Sequence, residues 1–492
     1  MAKQTAQLSN VLRITDVNDF LAPSAACILP LEGGAQPSAK GTTAVVKVGE
    51  EPAGSVLTPI VPMETPVSGS AKARVTVSDC LACSGCVTSA ETVLLSTASL
   101  DEYRSFATQN AASKSERFSI VALSQQSVAS IAVHFGLQMT QTARKLATFF
   151  RRRHGIDIVI DLSLPRQLSL LEAATEFIQR YRAGKKLTIT SACPGWVTYA
   201  EKTQKDSVLD CISSIRSPQG ILGSMAPHLR PSGDRRPVWV CAVMPCHDKK
   251  IEASRPEFVR NQSDGSIQKD IDCVITTGEL LDLLTENQFD LISAEQSDLG
   301  SKYSSTGSHE FGVNVGSSSG GYAEFVLRVA SRELFGIELP RGSIITEKAS
   351  RSGDLRTATV SNKDGEALTF ATAYGFRCLQ TILRKVRQGQ CKYNYIELMA
   401  CPGGCTNGGG QISIPGDSKG DLRSWKLQAD NHLKNVNSVF HNAPEVLNPL
   451  AVSGVRELYN AMVKELTNSD GLKPLRMPIQ SRQTNGIGSL SW

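Results

Sequence analysis

A glycine-rich stretch with two cysteines, residues 399–411, constrains this chain more than any other segment. Cys401 and Cys405 lie four residues apart, and Pro402 and five glycines surround them. Because glycine has no Cβ, backbone N–H groups can approach a bulky anion closely. Thiolates on such a turn are soft ligands for iron, and the N–H groups can donate to cluster sulfurs. The stretch favours an iron–sulfur site, and a glycine-rich turn with two buried cysteines is the alternative.

A second cysteine cluster lies near the N terminus, where Cys80, Cys83 and Cys86 are separated by two residues each. This spacing wraps successive thiolates around one centre and is typical of a 4Fe–4S cluster. Such a cluster needs a fourth ligand, and Cys27 is the only other cysteine before residue 193. We therefore expect Cys27 to complete the set. The alternatives are structural zinc for the metal and a buried packing role for Cys27.

From about residue 115 the chain alternates between apolar strand patterns and helical patterns. Strands are predicted at 118–123, 156–161, 187–191, 237–244, 271–276 and 395–400, and helices at 127–153, 168–181, 278–284, 323–334, 369–385 and 455–466. Strands separated by helices imply parallel sheets with helices on both faces, so the predicted fold class is α/β. Residues 317–321 precede one predicted helix and are compatible with either an anion cradle or a plain turn.

Thiols follow the predicted strands at three separate places. Cys193, Cys246 and the pair Cys401 and Cys405 each come just after a strand. Ligands in α/β folds collect outside the carboxyl ends of strands, so this placement predicts one shared four-thiolate site. The remaining cysteines are predicted to be packing residues: Cys211, Cys241, Cys273, Cys378 and Cys391. Of these, Cys241 and Cys273 are expected in sheet interior.

The composition argues against several functional classes. A net charge of +5 over 492 residues is too small to indicate a nucleic-acid-binding protein. The first ten residues have no apolar signal core, and no apolar run is long enough to span a membrane. We therefore expect a reducing cytosol, where the thirteen cysteines favour metal binding over disulfides.

Three segments resemble the three signatures of iron-only hydrogenases. They are residues 190–196, which contain Cys193, residues 244–250, which contain Cys246, and residues 399–411. The resemblance extends over roughly residues 115–415. It implies a two-lobed domain in which the four matched cysteines hold a cubane. In that family the last of them also bridges to a di-iron subcluster.

Two departures from the hydrogenase pattern bear on activity. Ala192 stands where hydrogenases carry a cysteine that relays protons, and Gln179 stands where the relay has a glutamate. A methyl group cannot carry a proton, so hydrogen chemistry is not expected of this chain. His247 and Asp248 also replace small residues, although Lys249 is retained. A hydrogenase-type redox enzyme is the alternative function, and these replacements disfavour it.

The combined pattern resembles the hydrogenase-like assembly factors of the cytosolic iron–sulfur pathway, the nuclear prelamin A recognition factor-like family. This resemblance implies two 4Fe–4S clusters, because members pair the lobed domain with an N-terminal cluster. It implies an adaptor, and not an enzyme, that links early scaffold proteins to a late targeting complex in the maturation of extramitochondrial iron–sulfur proteins. The last three residues, Leu490, Ser491 and Trp492, are similar to the tag by which clients dock on that complex. A terminal Trp without a role is the alternative.

The predicted organisation has four segments. An N-terminal iron–sulfur domain spans residues 1–110, with a flexible insert at 31–66 that the family pattern does not explain. The hydrogenase-like lobes span 111–300 and 301–468, and a flexible tail at 469–492 ends in the docking signal. The expected partners are the targeting complex and the scaffold proteins, with no nucleic acid and no membrane. The expected location is the cytoplasm, with the nucleus as an open second compartment.

Overall fold

The structure is a computed structural model, and it describes only part of the chain. The described residues are 100–112, 116–261, 267–299, 311–314, 316–340, 344–350, 353–412, 414 and 422–446, together with 457, 459, 460, 462, 475–477 and 479. All of them belong to the second of the two units into which the chain divides, Thr88–Trp492. The predictions for Cys27, Cys80, Cys83, Cys86, the insert at 31–66 and the last three residues lie outside the described residues.

The described elements alternate between strands and helices along most of their length. The helices are α1 (Leu100–Ala112), α2 (Gln125–Phe135), α3 (Met139–His154), α4 (Ser163–Arg182), α5 (Pro194–Thr203), α6 (Asp206–Leu209), α7 (Pro218–Leu229), α8 (Asp248–Ala253), α9 (Thr277–Glu286), α10 (Tyr322–Phe335), α11 (Phe376–Arg387) and α12 (Leu422–His441). The strands are β1 (Phe118–Leu123), β2 (Ile158–Asp161), β3 (Thr188–Thr190), β4 (Val238–Met244), β5 (Val259–Asn261), β6 (Ile267–Lys269), β7 (Cys273–Thr276), β8 (Val313–Asn314), β9 (Glu347–Lys348), β10 (Leu355–Ser361), β11 (Ala367–Tyr374), β12 (Tyr395–Met399) and β13 (Glu445–Val446). No described helix has both the length and the apolar character needed to cross a membrane.

The first sheet is parallel and has the strand order β2-β1-β4-β7. Every residue of β1 and β4 is buried, which explains why both read as continuous apolar runs. Their side chains alternate between two cores on opposite faces: Val121 and Val243 belong to one, and Ile120 and Ala242 to the other. Helices cover both faces, as the sequence predicts.

Two cysteines were predicted to lie in sheet interior, and the structure confirms both. Cys241 in β4 and Cys273 in β7 are directly paired across the two strands. Both side chains are fully buried in the core that contains α2, α3 and α9. They serve as small apolar residues that fill the space between the sheet and these helices.

The second sheet has the order β3-β12-β11-β10-β9, and only part of it is parallel. β3, β12 and β11 run parallel, whereas β10 pairs antiparallel with β11 and with β9. The helix predicted at 369–385 is wrong over its first six residues, which belong to β11. Thr, Phe and Tyr alternate there with small residues and favour a strand. The helix α11 begins only after Gly375, whose φ of +80° ends the strand.

The chain leaves the first sheet and enters the second well before residue 300, the predicted boundary between the two lobes. β3 lies within the predicted first lobe, yet it pairs with β12 in the second sheet. The helix α4 connects the two sheets, because Leu168 packs in the core of the first sheet and Phe177 packs in the core of the second. A long helix that is buried at both ends can contribute to two cores at once.

The helix predicted at 127–153 is interrupted in the structure. α2 ends at Gly136, which adopts a left-handed conformation with φ of +67°, and its N–H closes the last turn of the helix. α3 then begins at Met139 and ends at Gly155, which has the same conformation. Glycine at such positions is a common helix stop because it has no Cβ to clash.

Candidate metal centre

Four of the predicted ligands lie just beyond the carboxyl ends of strands. Cys193 follows β3 and precedes α5, Cys246 follows β4, and Cys401 and Cys405 follow β12. β4 belongs to the first sheet, whereas β3 and β12 belong to the second. Both sheets therefore direct thiols beyond their strand ends, the position where ligands collect in α/β folds.

The four thiols lie close enough together to affect one another's ionisation. The pKa of Cys246 is held well above its usual range by burial, and then by Asp248 and the thiols of Cys401, Cys193 and Cys405. Burial, with Asp248 and Cys405 adding to it, raises the pKa of Cys193 to about 12. Three separate segments of the chain thus meet at one buried place.

Glycines allow the stretch at 399–411 to pack directly on the turn that holds Cys246. The Gly410 N–H donates to the Pro245 carbonyl oxygen at 2.9 Å. A Cβ on Gly408 would lie 2.4 Å from that oxygen, and a Cβ on Gly410 would lie 3.1 Å from the Cα of Cys246. A larger residue at either position would push the two turns apart, so this close approach requires glycine.

Backbone N–H groups hydrogen-bond the Cys193 sulfur. Burial raises the pKa of this thiol, and the N–H groups of Trp196 and Ala400 oppose the rise because they favour the thiolate. Thiolates surrounded by amide donors are the ligands that iron–sulfur clusters use. The donor chemistry at this place therefore fits a 4Fe–4S cluster held by the four cysteines.

A single metal ion fits the same place less well. Among the described residues, no group of three or more His, Cys, Asp or Glu side chains is placed to hold one ion. A lone zinc ion draws its ligands to about 2.0–2.3 Å from one point. A cubane takes one thiolate on each of its irons, so its ligands stand farther apart. The described residues therefore give no support for a single-ion site, and a cubane is the arrangement that four separate thiolates can hold.

Residues 317–321 support the loop that carries Cys405. The Cys405 N–H donates to Ser319 Oγ at 3.0 Å, and Thr406 Oγ1 donates to Ser318 Oγ at 3.1 Å. Burial raises the pKa of Cys405, and the Ser319 hydroxyl opposes that rise. The sequence left an anion cradle and a plain turn open for this segment. In the structure its hydroxyl groups hold the cysteine loop in place.

Glu397 fixes the same segment to β12. Its fully buried carboxylate accepts hydrogen bonds from Ser317 Oγ at 2.6 Å, the Tyr374 hydroxyl at 2.9 Å and the Ala323 N–H at 2.9 Å. Burial raises its pKa, and each of these three donors opposes the rise. No sequence pattern marked this residue, because its partners come from distant parts of the chain.

Replacing Glu397 with Gln is expected to lower the stability of the chain by about 1–3 kcal/mol. Glutamine offers one oxygen where glutamate offers two, so its NH2 group would face either the Ala323 N–H or the two hydroxyl groups that now donate to the carboxylate. Urea unfolding of the purified protein measures the loss. Glu366→Gln is the matched control, because Glu366 is exposed. Equal midpoints for the two variants would contradict the role given to Glu397.

The two residues that depart from the hydrogenase relay occupy different surroundings. Ala192 lines a pocket beside Cys193. The Gln179 side-chain oxygen accepts a hydrogen bond from Arg476 Nη2 at 3.3 Å. Neither side chain carries a group that takes up or releases a proton near neutral pH. Both positions therefore lack the chemistry of a proton relay.

Lys249 and Asp248 are both engaged within the protein. Lys249 Nζ donates to the Glu252 carboxylate at 2.6 Å and to Ser217 Oγ at 3.0 Å, so a carboxylate of this chain neutralises its charge. Asp248 packs against the first turn of α5, where a Cβ on Gly195 would lie 2.7 Å from its Oδ2. Burial raises the pKa of Asp248. Both residues lie in a motif that the sequence shows, but no sequence pattern indicates these contacts.

Comparison with known proteins identifies the family. The family model "Iron only hydrogenase large subunit, C-terminal domain" matches residues 117–409. A Bos taurus protein named "Cytosolic iron-sulfur assembly component 3" is 41% identical over 421 residues, which cover 83% of this chain and 85% of the relative. The Mus musculus protein of the same name is 40% identical over 463 residues and covers 92% of each chain.

Solved structures agree with this assignment at the level of the fold. The apo form of a variant of the [FeFe]-hydrogenase HydA1 from Chlamydomonas reinhardtii superposes with a TM-score of 0.61 over 75% of this chain and 95% of its own. Its sequence is 22% identical, so the likeness concerns architecture alone. With the extent of the sequence matches, this shows that the chain belongs to the family of hydrogenase-like cytosolic iron–sulfur assembly components, as its motifs predicted.

Proposed function

We propose that this chain is a cluster-carrying adaptor in cytosolic iron–sulfur protein assembly. One observation carries the proposal: Cys193, Cys246, Cys401 and Cys405 meet at one buried place beside Ala192, which has no ionisable group. The site thus has the ligands of a cluster without the relay of a hydrogenase. The names of the relatives, cytosolic iron–sulfur assembly components, support the same role and a cytoplasmic location.

Two 4Fe–4S clusters are proposed, each with its own ligand set. Cys193, Cys246, Cys401 and Cys405 would hold one, and the N-terminal Cys27, Cys80, Cys83 and Cys86 would hold the other. A bound cubane supplies irons that can accept and donate single electrons. The residues around the lobed site bury the thiols, donate N–H groups to sulfur and fix the Cys405 loop.

The division of the chain remains part of the proposal. The N-terminal cluster domain with its insert at 31–66 would lie within residues 1–110, of which α1 packs in a core of the first sheet. Residues 469–492 would form the tail, of which residues 475–477 bond to residues 214–216. Residues 111–300 and 301–468 would correspond broadly to the two lobes, with β3 contributed to the second sheet by the first segment. Presence in the nucleus as well as the cytoplasm is proposed on the family resemblance.

Assays on reconstituted protein separate the adaptor from a hydrogenase. We expect no hydrogen uptake, because Ala192 and Gln179 cannot relay protons. Carbonyl and cyanide bands in the infrared would report a di-iron subcluster, and we expect none for the proposed adaptor. Hydrogen uptake with such bands would replace the proposal by the redox-enzyme alternative. Metal analysis of anaerobically purified protein distinguishes iron from zinc, and a zinc-only result would contradict the proposal.

The adaptor role includes docking through the last three residues, Leu490, Ser491 and Trp492. Deleting Trp492 is expected to weaken binding to the targeting complex by about tenfold or more, because a terminal aromatic buries a large apolar area when it binds. Binding of the full chain to the purified complex gives the two dissociation constants. Trp425→Ala is the control, because Trp425 is an exposed tryptophan on α12, 40% accessible. If the deletion leaves the affinity unchanged, the terminal Trp has no docking role.

A further inference from the structure

A short segment near the C terminus docks on the edge of the second sheet. We call residues 475–477 and 479 the C-terminal strap. Its Leu475 carbonyl accepts the Arg216 N–H at 3.0 Å, and its Met477 N–H donates to the Ser214 carbonyl at 2.6 Å. Between these bonds, Ile215 and Arg476 form an antiparallel bridge. The strap therefore adds to the fold as a strand would.

Side chains hold the strap in place at one point. Arg476 forms an ion pair with Glu172 on α4, and its Nη2 also donates to Gln179 on the same helix at 3.3 Å. The Glu172 carboxylate accepts a second hydrogen bond from the Tyr459 hydroxyl at 3.1 Å. Glu172 is almost fully buried, at 7% side-chain exposure, and Leu475 is fully buried. The Arg476–Glu172 pair thus acts as a latch between the strap and α4.

The strap forms one wall of a pocket that leads to the candidate metal centre. Met477 and Ile479 line this pocket, and Ser191, Ala192 and Cys193 line it as well. Its empty volume is about 420 Å³, which includes space open to solvent. The strap side chains therefore share this pocket with Cys193.

We propose that the C-terminal strap is a lid that controls access to Cys193, with the Arg476–Glu172 pair as its latch. When the strap is docked, Met477 and Ile479 narrow the pocket beside the thiol. When Arg476 releases Glu172 and Gln179, two backbone hydrogen bonds and apolar contacts still hold the described residues of the strap. The lid would regulate insertion and removal of the lobed cluster, and that part rests on the function proposed above.

The reactivity of the Cys193 thiol in the full-length apo-protein measures whether the lid is docked or open. Alkylation of Cys193 by iodoacetamide, followed by peptide mass spectrometry, is expected to be about tenfold faster in Arg476→Ala than in the unaltered chain. That change corresponds to about 1.4 kcal/mol in favour of the open lid. Cys241, fully buried in the first sheet, is the internal reference whose rate stays constant. Arg152→Ala, which removes an exposed arginine that pairs with Glu295, is the matched control.

A second variant and a second measurement keep the test independent of any one substitution. Met477→Ala shortens the pocket wall and keeps the latch, and it is also expected to speed Cys193 alkylation. Hydrogen exchange at the Arg216 and Met477 amides should be faster in Arg476→Ala, because both amides donate across the bridge. Unchanged alkylation in both variants, or unchanged exchange at both amides, would overturn the lid.

Iron release separates the lid from the proposed function. In reconstituted protein, transfer of iron to a strong chelator is expected to be faster in Arg476→Ala than in Arg152→Ala. If the lobed site of the unaltered chain binds no iron, the proposed function fails, while alkylation and hydrogen exchange still test the lid. If it binds iron and the two variants release it at the same rate, the lid fails and the cluster assignment stands.

Discussion

Replacing Cys193 or Cys405 with alanine is expected to reduce the iron bound by the reconstituted chain from about eight atoms to about four. Each iron of a cubane takes one thiolate, and both thiols lie in the buried four-cysteine site. Loss of either leaves one iron without a protein ligand. Anaerobic iron and sulfide analysis measures the change, with the thiolate-to-iron absorption as a second readout.

Cys211→Ala is the matched control for the iron measurement. Cys211 is intermediate in exposure, like Cys246, Cys401 and Cys405. The groups that affect its pKa include Arg180, Asp210 and Cys391 and none of the four site thiols. Its replacement is expected to leave the iron content at that of the unaltered chain. If Cys193→Ala and Cys405→Ala both retain the full iron content, the four thiols do not hold a cluster.

Replacing Asp270 with alanine is expected to destabilise the hydrogenase-like domain by about 3–5 kcal/mol. Asp270 pairs with Arg216 at 2.8 Å, and the two side chains are only 2% and 3% exposed. Without the carboxylate, the buried guanidinium of Arg216 loses this ion-pair partner.

An exposed pair provides the comparison for Asp270. Asp101 pairs with Arg104 at 2.6 Å on α1, but its side chain is 84% exposed. Exposed pairs contribute about 0–1 kcal/mol, so Asp101→Ala is expected to change stability little. Urea unfolding of the apo-protein gives the midpoint of each variant. A midpoint for Asp270→Ala within error of that for Asp101→Ala would show that the buried pair does not carry the stability assigned to it.

The sequence predicted most of the parallel strands of the fold and the position of the thiols. Mostly apolar runs marked β1, β4 and β12, because strands covered on both faces bury every side chain, and Ser119 in β1 and Glu397 in β12 are the polar exceptions. It also placed four cysteines just after strands, and the structure brings those four together. Local patterns suffice for such features, since strand burial and motif spacing depend on residues that are close together in the sequence.

Other features depend on contacts between distant residues. The hairpin of β10 and β11 was missed because the pattern at 369–374 reads as either a helix or a strand until its partner is known. The assignment of β3 to the second sheet likewise depends on its pairing with β12, some two hundred residues later.

What the sequence determined by itself is the family, because family membership is carried by residue identity and short spacing. The same motifs predict the set of ligands. What only the tertiary structure decided is how the site is held and reached. Glu397 and Ser319 fix the Cys405 loop, and Arg476 latches the strap beside Cys193. Buried hydrogen bonds and ion pairs join groups that no short sequence window contains, so their partners emerge only when the chain is folded.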